Sequence, residues 1–297
     1  MGNPNYDNAI LGAGITGLIA FYYLAENTHT RNLLITKSLE SQTNTRFQLG
    51  PRFLRYSKDT EALLRRLKLS VTTKEVFVGW EEGGEIRNYP SSAHIQDVSN
   101  FTAFEVSQVR LAKELLEKCL QISKESQKNH VIVDEIKSIN YKKITTKKDS
   151  YYANHIVSTI PLSSLTNLLS DSSKTIKVST KTKDTYFFLV DEKEKGNFDY
   201  IYTTPHEHPW YRKTYISEEK KWVYETNEVE KFVVIYGEWI IGKGIKVSCD
   251  QSNGLNIKEL GTNINLIGKY SQMNQNIKTE DVIRWAYNYT KKFKKKD

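Results

Sequence analysis

The sequence predicts an α/β protein: a doubly wound, three-layer domain interleaved with a smaller antiparallel-sheet domain. Three observations point there. A glycine-patterned strand–turn–helix–strand unit opens the chain, "YDNAILGAGITGLIAFYYLAEN" followed by "NLLIT". A strong amphipathic helix and a four-strand run occupy the middle. A long β-branched and aromatic stretch with turn residues between its runs follows from about residue 184.

In the opening unit, residues 8–11 ("NAIL") read as a short apolar strand. Gly12, Gly14 and Gly17 then fall in the spacing G-x-G-x-x-G. The first glycine permits the tight turn, and the second lets backbone approach a pyrophosphate. The third lets the helix pack close to the strand. The helix "ITGLIAFYYLAEN" would aim its first amides and positive dipole end at phosphate. With "NLLIT" (residues 32–36) as second strand, the unit is of Rossmann type and predicts dinucleotide binding. One part is missing. The acid expected at the end of the second strand to hold a ribose is replaced by Thr36, with Lys37 and Ser38 after it. Thr36 or Ser38 could take over that hydrogen bond.

Residues 47–69 read as a turn followed by a helix, with Leu63, Leu64, Leu67 and Leu69 on one face. Residues 74–90 read as a hairpin around Gly83-Gly84. Residues 103–123 read as an amphipathic helix with Cys119 in its core face. "VIVDEIKSINYKKITTKKDSYYANHIVSTIP" (131–161) reads as strand, strand, polar turn, strand, strand. "DTYFFLVDE", "FDYIYTT", "WYRKTYIS", "KWVYET" and "KFVVIYGEW" read as strands of an antiparallel sheet. The end of the chain reads as a buried strand, a loop after Gly268, and a helix capped by Thr279.

Composition narrows the function classes. The net charge is +8, but "KKFKKK" (291–296) holds five lysines, and removing them lowers it to +3. The tail is a candidate for phosphate or nucleic-acid contact, the plain alternative being a solvated end. "TKKDS" and "KTKDT" are further basic spots. The two cysteines, Cys119 and Cys249, have no metal or disulfide spacing, which points to a reducing cytoplasm. No run of about 18 apolar residues exists, so no membrane helix is expected. Residues 9–25 lack the preceding basic region of a signal peptide.

The order of parts resembles the FAD-dependent amine oxidase and protoporphyrinogen oxidase superfamily, with UDP-galactopyranose mutase related in shape. Four places carry the resemblance: the Gly12–Gly17 motif, "LGPRFLRY", "VIVDEIKSINYKK…YYANHIVSTIPLSSL", and "INLIGKYSQMNQNIKTEDVIRWA". It implies a Rossmann-type FAD-binding domain over residues 1–70, 105–175 and 255–297. The antiparallel-sheet substrate domain would comprise 71–104 and 176–254. It implies that Gly12, Ala13, Gly14, Ile15, Thr16 and Gly17 line the pyrophosphate, with Thr36 and Lys37 at the ribose and Glu135 and Ile136 near the adenine. Gly50, Pro51 and Arg52 would approach the isoalloxazine. Gly268 and Lys269 match the closing Gly-Arg, where lysine keeps the charge but loses the bidentate fork. Asn274, Gln275, Asn276 and Ile277 would offer backbone amides to the flavin edge. The second glycine pair of the pattern is replaced by "SQTNTR", and 90–104 leaves little room for the helical lobe of the mutases.

Such enzymes leave the redox chemistry to the cofactor, so no catalytic triad is expected. Arg52 is a candidate for the flavin's N1/O2 edge, with Arg55 nearby. Arg212, in "TTPHEHPWYRK", is a candidate for a substrate carboxylate or phosphate, or else a structural residue. His206 and His208 alone are too few for zinc. Trp80, Tyr89, Trp222, Tyr224, Tyr236 and Trp239 are candidates for cross-strand packing, one or two of them for an aromatic wall. The expected activity is oxidation of a C–N bond by hydride transfer to flavin, on a small-molecule amine or a nucleotide- or nucleic-acid-borne one. The alternatives are a mutase-like flavoenzyme on a nucleotide sugar and a non-catalytic flavin-fold subunit.

Overall fold

The structure, a computed structural model, describes residues 5–27, 29–39, 53–88, 100–169, 180–191, 196–203, 207–216, 220–236, 240–249, 263–267 and 278–293. Its first layer is a seven-stranded sheet. β1 (Asn5–Leu11) lies at the centre, with β2 (Asn32–Thr36) and then β8 (Asn129–Val133) on one side. On the other side stands β11 (Ser150–Ser158). These four run parallel. The first half of β11 pairs with β10 (Lys143–Thr146), which pairs with β9 (Ile136–Asn140) in an antiparallel meander. Its last residues pair in parallel with β17 (Ile264–Leu266).

Both faces of this sheet are covered, which is why β2 is apolar and buried along its whole length. Ile10, Leu34 and Val157 point to a helical layer. That layer holds α1 (Ile15–Asn27), α2 (Lys58–Arg66), α3 (Gln108–Glu125) and α6 (Thr279–Thr290), the last followed by a single 3₁₀ turn. Cys119 sits there, fully buried. The alternate residues Ala9, Leu11, Leu33, Ile35 and Ile156 face the meander and α4 (Leu162–Leu168). The period of two and the two cores together make the three layers.

The second sheet has the order β16-β12-β15-β14-β13-β5-β6. It comprises β5 (Val78–Glu82), β6 (Glu85–Arg87), β12 (Thr180–Val190), β13 (Tyr200–Thr203), β14 (Arg212–Ile216), β15 (Lys221–Thr226) and β16 (Ile240–Cys249). All its pairings are antiparallel except β13 with β5. α5 (Val229–Tyr236) covers one face by inserting Phe232 among Phe188, Trp210, Trp222 and Tyr224. A small third sheet, β3 (Phe53–Arg55), β7 (Phe101–Ser107) and β4 (Thr73–Val76) in the order β3-β7-β4, meets the other face. There Tyr200 packs with Phe53, Phe101, Val76 and Ala103.

Several expectations are corrected. Residues 103–107 are the end of β7, and the helix begins only at Gln108, where the Ser107 hydroxyl accepts the Arg110 amide at 3.1 Å. The hairpin turn at Gly83-Gly84 is present, both glycines having positive φ, but the run before it divides at Phe77 between two sheets. The segment expected as a strand at 231–239 forms most of α5. Its β-branched run is overridden because Val229, Phe232 and Val233 fall on one helical face against the sheet. β3 and β16 went unpredicted. Thr279 is the first helical residue rather than the cap. Lys278 holds the cap position and its amide is taken by the Asp281 carboxylate at 2.9 Å.

Candidate functional site

The C-terminal edge of the parallel strands carries the glycine loop. β1 is the switch point: the chain moves from it to β2 on one side and reaches β11 on the other, leaving a crevice above its end. Gly12 has φ +99°, which L side chains rarely adopt, and its amide donates to the Ile35 carbonyl at 2.8 Å. A Cβ at Gly17 would stand 1.9 Å from the Gly12 carbonyl oxygen, so only glycine lets α1 start this close to β1. A Cβ at Gly14 would meet nothing within 4 Å. The loop is therefore tight on its inner side and open on its outer side, where Gly14 is exposed. The first amides of α1, those of Ile15, Thr16 and Gly17, have no intrahelical acceptor. They begin at this open side, with Ala13 buried beneath. A pyrophosphate fits such a cradle.

Thr159 holds the cradle from behind and was not singled out by sequence reasoning. Its hydroxyl donates to the Leu11 carbonyl at 2.8 Å and lies 3.3 Å from that of Gly12. It follows β11 directly, in the "STIP" strand end, so the signal was a short polar residue before proline at the edge of a central strand. Leu266 stands opposite Ser158, and the Ile267 amide donates to the Ser158 carbonyl at 3.0 Å. β17 thus delivers the chain to the same edge just before Gly268. Gly268, Lys269, Asn274, Gln275, Asn276 and Ile277 themselves lie outside the described residues, as do Gly50, Pro51 and Arg52.

At the end of β2 the Thr36 hydroxyl donates to the Ser38 carbonyl at 2.7 Å, so its proton is committed locally. Lys37 follows with its side chain 79% exposed, its ammonium 3.7 Å from Glu135. Glu135 follows β8 and Asp134, and it also meets Lys137 at 3.2 Å and Lys147 at 3.1 Å. Hydrogen bonds from Lys147 and Lys137 hold its carboxyl below the usual carboxylate range. The neighbouring Asp134 carboxylate turns inward to accept the amides of Glu135 at 2.8 Å and Lys148 at 3.1 Å. Ile136 opens β9 and packs into the core beneath.

In the second sheet Arg212 is already engaged. Its guanidinium meets Glu225 at 2.5 and 2.7 Å, with the two side chains only 16% and 4% exposed. Burial works against its charge and is the largest single influence, but Glu225 together with the Tyr200 and Tyr202 hydroxyls outweighs it and keeps the guanidinium protonated. The Tyr211 hydroxyl donates to the other Glu225 oxygen at 3.1 Å. Arg212 also lies over the Tyr200 ring at 5.5 Å. Trp80 stacks on Tyr202 at 6.2 Å, and Tyr202 on Tyr200 at the same distance, forming an aromatic strip beside the ion pair. Trp222 and Tyr224 lie on the opposite face, in the core under α5. Tyr89 and Trp239 lie outside the described residues, as does the side chain of Tyr236. Arg55 covers the Phe101 ring at 4.1 Å. His208 pairs with Glu81 at 3.0 Å and stacks on Trp210, while His206 is outside the described residues. Among the described residues no three potential metal ligands gather, and no helix is long and apolar enough to cross a membrane.

The sequence matches no known family model and no curated protein. Solved structures do match. Reduced UDP-galactopyranose mutase superposes with a TM-score of 0.69 at 10% identity, covering 98% of this chain and 96% of that one. A fatty acid isomerase from P. acnes that produces CLA gives 0.69 at 11% identity, covering 97% and 98%. A double mutant of putrescine oxidase gives 0.60 at 8% identity, covering 97% and 99%. The fold is that of the FAD-dependent amine oxidase-like enzymes, with the shape of the mutase. At these identities the likeness shows the fold: a Rossmann-type architecture with an antiparallel-sheet domain, as expected from the sequence. The neighbours are FAD-binding flavoproteins.

Proposed function

We propose that this chain is an FAD-dependent oxidoreductase of amine-oxidase type. The observation that carries the reading is the Gly12–Gly17 cradle at the switch point, tight behind and open in front of Gly14. Gly12, Ala13, Gly14, Ile15, Thr16 and Gly17 would hold the pyrophosphate. Thr36, Lys37, Glu135 and Ile136 would border the adenosine. Gly50, Pro51 and Arg52 are assigned to the flavin ring by resemblance, as are Gly268, Lys269, Asn276 and Ile277. When bound, FAD supplies acceptance of a hydride from a C–N bond, and oxygen or another acceptor would restore it.

The chain's own part is binding and shielding. The loop amides and the start of α1 neutralise the pyrophosphate. The strip Trp80–Tyr202–Tyr200 packs with the third sheet, and its least buried ring, Tyr202, would supply an aromatic wall suited to excluding water. Because Glu225 cancels the charge of Arg212, that wall offers a neutral surface rather than an anion clamp. This favours an amine over the diphosphate of a nucleotide sugar and weighs against the mutase-like alternative. Nucleotide-borne amines remain within the proposed substrate class, and the Lys-rich tail is the proposed contact for a polyanion. The test is anaerobic mixing of FAD-loaded protein with alkyl, aryl and nucleotide-linked amines, followed by absorbance near about 450 nm. Bleaching by one class of amine supports the reading. Activity on UDP-galactopyranose that requires reduced flavin, with no bleaching by any amine, would replace it with the mutase.

A further inference from the structure

The adenosine end of the loop has an electrostatic character opposite to the expected one. In this architecture a carboxylate ends the second strand and accepts hydrogen bonds from ribose hydroxyls. Here that position is Thr36, whose hydroxyl proton is spent on the Ser38 carbonyl. Lys37 comes next. Because β1, β2 and β8 are adjacent and parallel, Lys37 stands about 5 Å, one strand spacing, from the end of β1. The segment after β8 stands about 10 Å away, two spacings. That segment carries Glu135, around which Lys37, Lys137 and Lys147 gather at 3.7, 3.2 and 3.1 Å. Three ammonium groups share one carboxylate, an excess of two positive charges. Asp134 adds a negative charge behind the rim, countered by Lys148, and its oxygens are turned inward to two backbone amides and so are not offered to a ligand.

A neutral ribose gains nothing from this arrangement, and the nearest carboxylate is already saturated by lysines. A phosphomonoester gains much: it would exchange the single Glu135 charge for a dianion among the same three lysines, with the Gly12–Gly17 loop holding the pyrophosphate one strand away. We infer that the loop also accepts an adenine nucleotide bearing a phosphomonoester on its ribose, seated on Lys37, Lys137 and Lys147. The inference rests on the reading of the Gly12–Gly17 loop as a dinucleotide cradle. It does not rest on FAD, which carries no such group and would compete for the loop. A 2′-phosphate would come from NADP(H) and a 3′-phosphate from coenzyme A.

The experiment is calorimetric titration of the full chain with 5′-ADP, 2′,5′-ADP and 3′,5′-ADP at two salt concentrations, with FAD retention measured on the same preparation. At least a tenfold preference for one bisphosphate over 5′-ADP is expected, weakening as salt rises. Its isomer identifies the source. Lys37→Ala and Lys147→Ala should each reduce the preference severalfold, and Lys37→Arg should keep it. Glu135→Gln should strengthen bisphosphate binding, since it removes the competing carboxylate. These residues are at the surface, so thermal melts should show each variant folded. Equal binding of all three nucleotides overturns the inference whether or not FAD is retained. Weaker bisphosphate binding in Glu135→Gln also overturns it, because that carboxylate would then be the ribose ligand. A bisphosphate preference in protein that retains no FAD upholds the inference and removes the flavin reading instead.

Discussion

Alanine at Gly14 and alanine at Gly17 each add one methyl group to the same loop, yet should affect the empty fold to very different degrees. At Gly17 the new Cβ falls 1.9 Å from the Gly12 carbonyl oxygen, and contacts under 3.0 Å essentially never occur. Helix α1 and the end of β1 must therefore separate by about 1 Å, an overpacking that costs about 1–3 kcal/mol. The separation also drags the loop amides out of register with a pyrophosphate. At Gly14 the methyl meets nothing within 4 Å, and the backbone is not in the left-handed region. The free protein should lose no more than about 1 kcal/mol, the cost of alanine near a helix start. The methyl nevertheless stands in the open side of the cradle, where ligand backbone contact is closest. Dinucleotide affinity should fall at least tenfold, about 1.4 kcal/mol. The assay pairs urea unfolding without ligand and FAD titration by flavin fluorescence. Gly14→Ala should separate the two readouts and Gly17→Ala should lower both. If Gly14→Ala bound FAD as tightly as the parent, the open face of the loop would not be the binding surface.

Three further outcomes follow from buried groups. Glu225→Ala leaves the Arg212 guanidinium buried beside Tyr200 without its counter-charge, and stability should fall by about 3–5 kcal/mol. Arg212→Met with Glu225→Leu should recover much of that loss in chemical denaturation, and Arg212 acting as a substrate ligand would show as recovered stability without recovered turnover. Asn32 links Asn8 at 2.9 Å and Asn129 at 2.8 Å in a buried ladder across three parallel strands, so Asn32→Ala should cost about 2–4 kcal/mol through orphaned amides. Burial pushes the Cys119 thiol far above its ordinary range. In a Cys249→Ser background it should resist thiol reagents at neutral and mildly alkaline pH until the protein unfolds, and rapid labelling of native protein would contradict its place in the α1–α3 core.

The parts legible in the sequence are those written locally. The strand, glycine turn and helix of residues 8–27 need only their own spacing, and the structure keeps them almost to the residue. The meander of β9–β11 was legible for the same reason. What the sequence misrepresented depended on distant partners. "KFVVIY" looks extended because its residues are β-branched, yet it is helical because Phe232 finds a pocket among Phe188, Trp222 and Tyr224 on two strands of the second sheet. β16, interrupted by glycines, pairs with β12 across more than fifty residues. Arg212 looked available because Glu225 is thirteen residues on, and only the β14–β15 register sets them side by side. The lysine cluster brings Lys37, after β2, to Glu135, Lys137 and Lys147, which follow β8, lie on β9 and follow β10 much later in the chain, so no motif spells it. Thr159 is the intermediate case: the strand end was legible, but its bond to the glycine loop required the β1–β11 pairing.

The proposed function stands or falls on whether the open loop at the end of β1 holds FAD. The direct measurement is an absorbance spectrum of the purified chain after incubation with FAD and removal of the excess by gel filtration. Protein-bound bands near about 370 and 450 nm, at close to one flavin per chain and abolished by Gly14→Ala, are expected. A colourless protein that is folded by circular dichroism and takes up no flavin would contradict the proposed function.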